Sequence, residues 1–119
     1  MRAVDARPSG FHAAMSSSID TDLEVALEPL TRPEMGEIRI FGGLFAVGRT
    51  EPPFAACDQT VLSMLSRRHA RIFCEQGSVF LADLDSRNGT TLNRERIGAA
   101  PCRLNDGDEI SFGGVLSFR

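Results

Sequence analysis

The sequence predicts an all-β fold, a sandwich or a barrel, preceded by an acidic tail. Two observations carry this. From Glu37 onward, apolar and polar residues alternate at period two. The runs are short, and turn signals built on Gly, Asn and Asp interrupt them at intervals of about 8 to 12 residues. A half-buried strand shows this alternation because successive side chains point to opposite faces of its sheet. Many short strands joined by tight turns bury their apolar faces only by stacking two sheets or closing one.

The elements follow in order. Met1 to Ser18 is rich in Ala, Ser, Pro and Gly without periodicity and reads as a flexible tail. Leu23, Leu27 and Leu30 recur at helical spacing, and Thr21 with Glu24 forms a capping box, so a short helix is expected near 21–30. Thr31 to Glu34 reads as linker, which places a tail over 1–36 and a β domain over 37–119. Ile38 and Ile40, then Leu44 to Val47, are two strands across Gly42-Gly43. Thr50 to Asp58, with Pro52-Pro53, is a loop, and Val61 to Leu65 is expected to be a short strand. His69 to Glu75 and Val79 to Leu84 are longer strands across Gln76-Gly77. Ser86 to Gly89 breaks the chain. Thr90 to Asn93 and Arg103-Leu104 are short strands, and Asn105 to Gly107 is a turn. Glu109 to Phe112 and Val115 to Phe118 pair across Gly113-Gly114. The chain ends inside this last strand, which is read as the edge of a piece cut from a longer protein.

Composition narrows the function classes. The 119 residues suit one domain with a modest tail. No apolar run approaches the ~18 residues that span a bilayer. No secretory signal is legible at the start, so the cytoplasm is the expected compartment and no membrane insertion is expected. The net charge of −3 belongs to the tail, where Asp5, Asp20, Asp22, Glu24, Glu28 and Glu34 face Arg2, Arg7 and Arg32. The remainder is neutral, which argues against nucleic acid as a partner. Cys57, Cys74 and Cys102 match neither a disulfide framework nor a zinc pattern. They read as reduced thiols, Cys74 in the core. No metal and no cofactor are expected.

Chemistry concentrates in three short stretches at strand edges and turns. These are Gly48-Arg49, Ser66-Arg67-Arg68-His69-Ala70 and Ser86-Arg87-Asn88-Gly89-Thr90. Each supplies a hydrogen-bond donor, an arginine or a glycine that lets the backbone bend. Donors and guanidinium groups gathered on loops suit a phosphate, because charge-assisted hydrogen bonds are shorter and stronger than neutral ones. Ser66 and His69, three residues apart, do not make a hydrolase. A serine nucleophile needs a contacting base, a group to orient that base and an oxyanion hole, and this spacing supplies none of them. The chain is not expected to be an enzyme.

Gly48-Arg49, Ser66-x-x-His69 and Ser86-x-Asn88-Gly89-Thr90 with Asn93, in that order and spacing, resemble the forkhead-associated (FHA) domain. Leu104-x-Asp106-Gly107-Asp108-x-Ile110-x-x-Gly113 resembles that family's closing hairpin, and the likeness covers about Glu37 to Phe118. The resemblance implies a two-sheet antiparallel β sandwich with binding loops at one end. It also implies recognition of phosphothreonine in partner proteins, downstream of a Ser/Thr protein kinase, with Arg49, Ser66, Arg67 and Asn88 against the phosphothreonine. Arg87 lies where the family reads residues C-terminal to the phosphate. Gly48, His69, Gly89 and Asn93 are then structural supports, His69 bracing the loops that hold Ser66 and Arg49.

The alternatives carried beside these roles are plain ones. Arg49 reads also as a solvated loop charge, Ser66 as an ordinary turn residue, and Asn88-Gly89 as no more than a hairpin turn. Strand alternation allows Arg68 or Arg71 to take the place of Arg67. Thr21, among acidic neighbours, is either a helix cap or a regulatory phosphosite that folds back onto the cleft as an intramolecular ligand. The alternative for the whole domain is a phosphate-independent scaffold in a secretion or envelope-associated assembly.

Overall fold

The computed structural model describes residues 2–5 and 23–119. Eleven strands and one short helix are seen among them: β1 (Arg2–Asp5), β2 (Leu23–Leu27), β3 (Ile38–Phe41), β4 (Leu44–Val47), α1 (Gln59–Leu62), β5 (Ala70–Glu75), β6 (Ser78–Asp83), β7 (Thr90–Leu92), β8 (Glu95–Ile97), β9 (Cys102–Leu104), β10 (Ile110–Phe112) and β11 (Leu116–Phe118). All pairings are antiparallel, in the orders β1-β2-β3, β11-β10-β7-β8 and β4-β5-β6-β9. Residues just past β2 join the first two groups into one layer. Glu28 and Arg119 exchange both backbone hydrogen bonds at 2.9 Å, and Leu30 N–H donates to the Ser117 carbonyl at 2.8 Å. The β4-β5-β6-β9 sheet forms the other layer. The alternation left a sandwich or a barrel open, and the two-sheet antiparallel sandwich implied by the resemblance is the architecture found.

Three sequence-based expectations are corrected. The helix expected near 21–30 is instead strand β2 over Leu23–Leu27, paired with β1 on one side and β3 on the other. The leucine spacing fits a helix, but Val25 and Leu27 also fit period two, and both are buried. A short isolated helix is marginal in water, whereas the paired strand satisfies its backbone and fills the core. Arg2–Asp5, expected within a flexible tail, is strand β1 on the same sheet, because its backbone pairs with β2, so the β structure starts before the expected boundary at Glu37. Thr21 lies outside the described residues. The third correction is at Val61 to Leu65, expected as a strand. Asp58 caps a single helical turn there, its Oδ1 accepting from Val61 N–H at 3.1 Å, and Val61 is buried by that turn.

The core lies between the layers. Val47, Ala70, Ile72, Val79, Leu81 and Leu104 face it from one sheet, and Val25, Leu27, Ile38, Ile40, Ile110, Phe112, Leu116 and Phe118 from the other. Phe54, on a 3₁₀ turn within the β4–β5 connection, is fully buried between Phe112 and Phe118, with ring centroids 6.2 and 6.4 Å away. Edge-to-face packing of this kind adds to the area buried by each ring. It also ties the long β4–β5 connection, which carries the binding loops, to the closing hairpin. Cys57, Cys74 and Cys102 form no disulfide, and Cys74 packs partly buried against the core.

Candidate functional site

Three connections meet at one end of the sandwich: β4–β5, β6–β7 and the β10–β11 turn at Gly113. Arg49 leaves β4 after Gly48 and its N–H donates to the Ser66 carbonyl at 3.0 Å. Gly48 is fixed by sterics, since a Cβ at that position would overlap the Arg67 carbonyl oxygen. Ser66 precedes β5. Its hydroxyl oxygen accepts the Arg87 N–H at 2.9 Å, which leaves the hydroxyl proton available to a ligand. The Asn88 amide donates to the Met64 carbonyl at 3.0 Å, holding the β6–β7 turn against the chain that leads into Ser66.

His69 binds these turns together from beneath. It is fully buried. Ser66 N–H donates to His69 Nδ1 at 3.1 Å, and His69 Nε2 lies 2.8 Å from the Gly89 carbonyl oxygen. Since Nδ1 accepts, the proton is assigned to Nε2, which donates to Gly89. The Gly89 carbonyl also accepts Gly113 N–H at 2.8 Å, and His69's own N–H donates to the Val47 carbonyl at 2.9 Å. One imidazole thus links the Ser66 and Gly89 turns. Its connection towards Arg49 runs through the β4 backbone, not through the ring.

The result is an open cleft of about 450 Å³ lined by Arg49, Ser63, Leu65, Ser66, Arg67, Arg87 and Asn88. All four residues expected against a phosphothreonine are in it, together with Arg87. Among the described residues, three arginines line the cleft and no acidic residue does. Asn93 is not brought there. It ends β7 at the opposite end from Asn88, where its amide contacts Asp108 Oδ1 at 3.1 Å and accepts Glu109 N–H at 2.9 Å. It supports the β7–β8 turn, not the cleft.

The family model for the FHA domain matches residues 46–113, a segment that contains every cleft residue. The chain belongs to the FHA family. Among curated proteins, an uncharacterized Schizosaccharomyces pombe protein is 40% identical over 57 residues, 42% of this chain and 19% of that protein, so the chain spans a small part of that relative's length. A domain solved in a structural and functional analysis of phosphothreonine-dependent FHA domain interactions is 27% identical, with a TM-score of 0.60 over 80% of this chain and 92% of the other. Mycobacterium tuberculosis EmbR, in complex with a low affinity phosphopeptide, is 26% identical, with a TM-score of 0.65 over 78% of this chain and 23% of EmbR. FHA domains are recognition modules; the first of these structures concerns phosphothreonine-dependent interactions and the second holds a phosphopeptide.

Under the FHA cleft lies a second network that sequence reasoning did not single out. Asp83, at the end of β6, is buried. Its carboxylate accepts from Ser86 Oγ at 2.5 Å, Thr90 Oγ1 at 2.7 Å and Ser86 N–H at 3.0 Å, and Ser86 Oγ in turn accepts Gly89 N–H at 3.0 Å. Burial pushes the carboxyl's pKa up, but the hydrogen bonds from Ser86 and Thr90 outweigh it, so it lies below the ordinary value. The charged carboxylate therefore shapes the Ser86–Thr90 turn that presents Arg87 and Asn88. The legible signal was Asp83-x-x-Ser86, the spacing of a side chain that caps its own turn. Among the described residues no cluster of His, Cys, Asp and Glu suits a metal ion, and no helix is long and apolar enough to cross a membrane.

Proposed function

We propose that this FHA domain recognises phosphothreonine in a partner protein and so reads the output of a Ser/Thr protein kinase. The observation that supports it most is the cleft, in which Arg49, Ser66, Arg67, Arg87 and Asn88 converge, with three arginines and no acidic residue among the described residues that line it. A phosphothreonine carries about −1.5 to −2 charges near neutral pH and three acceptor oxygens. Arg49 offers a planar fork to two of those oxygens. The free proton of Ser66 suits another. Arg67 closes the anion from the β5 side. Asn88 holds the ligand main chain beside the phosphate, and Arg87 favours an acidic residue nearby. Gly48, His69 and Gly89 keep these groups in register, so their ordering is met by the fold and not by the ligand.

A cleft this small and this wet gives micromolar binding or thereabouts. Preference for phosphothreonine over phosphoserine rests on one methyl, worth about 0.8 kcal/mol, hence several-fold. Because the kinase needs ATP, the proposed compartment is the cytoplasm. Screening a phosphothreonine peptide library against its unphosphorylated twin tests the reading. Binding confined to the phosphorylated set is expected. Equal capture from both sets would instead mean a phosphate-independent scaffold.

A further inference from the structure

We propose that recognition continues out of the cleft onto the outer face of β4, β5 and β6, where a second groove receives the segment flanking the partner's phosphothreonine. That segment carries alternating acidic and apolar side chains. The inference rests on the phosphothreonine reading above and names the class of partner.

The groove holds about 400 Å³ and is lined by Leu44, Ala46, Arg67, Arg68, Arg71 and Leu84, with Glu51 as the carboxylate on its rim. Arg67 also lines the cleft, so the two are contiguous. The register explains the shape. Ala46, Arg71 and Ala82 stand side by side across the three strands, and Leu44, Phe73 and Phe80 form the next row. Ala46 beside Arg71 leaves the floor low there. The Arg71 guanidinium lies over the Phe73 ring at 4.5 Å, and Phe73 stacks on Phe80 at 5.5 Å. Arg71 is thereby ordered above an apolar floor.

Two features ask for an occupant. The outward face of an antiparallel sheet is ordinarily polar, yet Leu44 and Leu84 stand 63% and 37% exposed on it. Among the described residues no ion pair engages Arg67, Arg68 or Arg71. Three guanidiniums against one carboxylate select acidic ligand residues, and the floor between them selects apolar ones. An extended peptide turns alternate side chains to opposite sides, so its apolar set suits the floor while its acidic set suits the guanidiniums that stand above it. A groove of this size is too small to hold a separate protein stably. It suffices for a segment already delivered by the neighbouring cleft, where effective concentration makes a weak contact count.

Fluorescence anisotropy with three labelled probes tests this. One is a phosphothreonine heptapeptide otherwise of glycine and serine. The other two add four residues of alternating aspartate and leucine on its amino or its carboxyl side. One of the longer probes is expected to bind about five-fold tighter or more than the short one. An Arg71→Ala/Leu44→Ser double variant is expected to lose that gain while its Kd for the short probe stays within about two-fold, which also shows that it is folded. Equal affinities for all three probes, or a gain that survives in the double variant, would overturn the inference. Failure of the short probe to bind the unaltered domain would instead strike the phosphothreonine reading, and the groove proposal with it.

Discussion

The Cα of Gly48 packs against the Arg67 carbonyl with no room for a side chain between them. The two arginines on either side of the cleft are positioned by this contact, since Gly48 precedes Arg49 and Arg67 follows Ser66. Replacing Gly48 by alanine must separate the two loops. Gly48→Ala is expected to destabilise the domain by about 1–3 kcal/mol, read by urea denaturation, and to weaken phosphopeptide binding in the molecules that remain folded.

His69 contributes stability and cleft geometry through the same ring. His69→Ala leaves the Ser66 N–H without its acceptor and opens a cavity beside Phe112, whose ring centroid lies 6.0 Å from the imidazole. A loss of about 2–4 kcal/mol in unfolding free energy is expected. Stability equal to the parent protein would show that the ring holds nothing together.

Asp83 gives the domain an acid-sensitive support. Its folded-state pKa lies below the ordinary carboxyl value, so the unfolded chain takes up its proton first as pH falls. The stabilisation is complete above the ordinary carboxylate pKa and is lost as pH drops towards and through the folded value. Asp83→Asn is expected to lower stability at neutral pH by about 1–3 kcal/mol and to flatten the acid limb of a stability–pH profile. An unchanged acid limb would place the sensitivity elsewhere.

Asn93 separates fold from site. It ties the β7–β8 turn to Asp108 and Glu109 at the end of β7 away from the cleft. Asn93→Ala is expected to cost about 0.5–1.5 kcal/mol of stability and to leave phosphopeptide Kd unchanged by isothermal calorimetry. A large change in Kd would return Asn93 to the site.

Much of this was legible in the chain, and the exceptions have physical reasons. Most strands from Ile38 onward were visible because each buries one face and ends at a Gly, Asn or Asp turn. β2 was misread because Leu23, Leu27 and Leu30 satisfy a helical period while Val25 and Leu27 satisfy a strand period. Pairing with Ile38–Phe41, not local preference, decides between them. Val61 to Leu65 was misread because a short apolar run carries no period of its own, and the deciding signal was the Asp58 cap. The three cleft stretches were legible from donors and arginines on turns, and their individual members from the resemblance to the FHA motifs. What holds it was less so. Asp83 is one of sixteen acids, and only the folded chain shows which one is buried beneath the Ser86–Thr90 turn. Asn93 follows the motif closely in sequence, but a strand of three residues carries it to the other end of the sheet.

The most direct test of the central claim is calorimetric titration of one phosphothreonine peptide, its unphosphorylated twin and its phosphoserine analogue into the parent domain and Arg49→Ala. The phosphothreonine peptide is expected to bind with micromolar Kd, the phosphoserine peptide several-fold more weakly and the unphosphorylated peptide not measurably. Arg49→Ala is expected to weaken the first by about 10- to 100-fold with its unfolding transition unchanged. Equal binding of the phosphorylated and unphosphorylated peptides, or full affinity in Arg49→Ala, would contradict the assignment of the cleft to phosphothreonine.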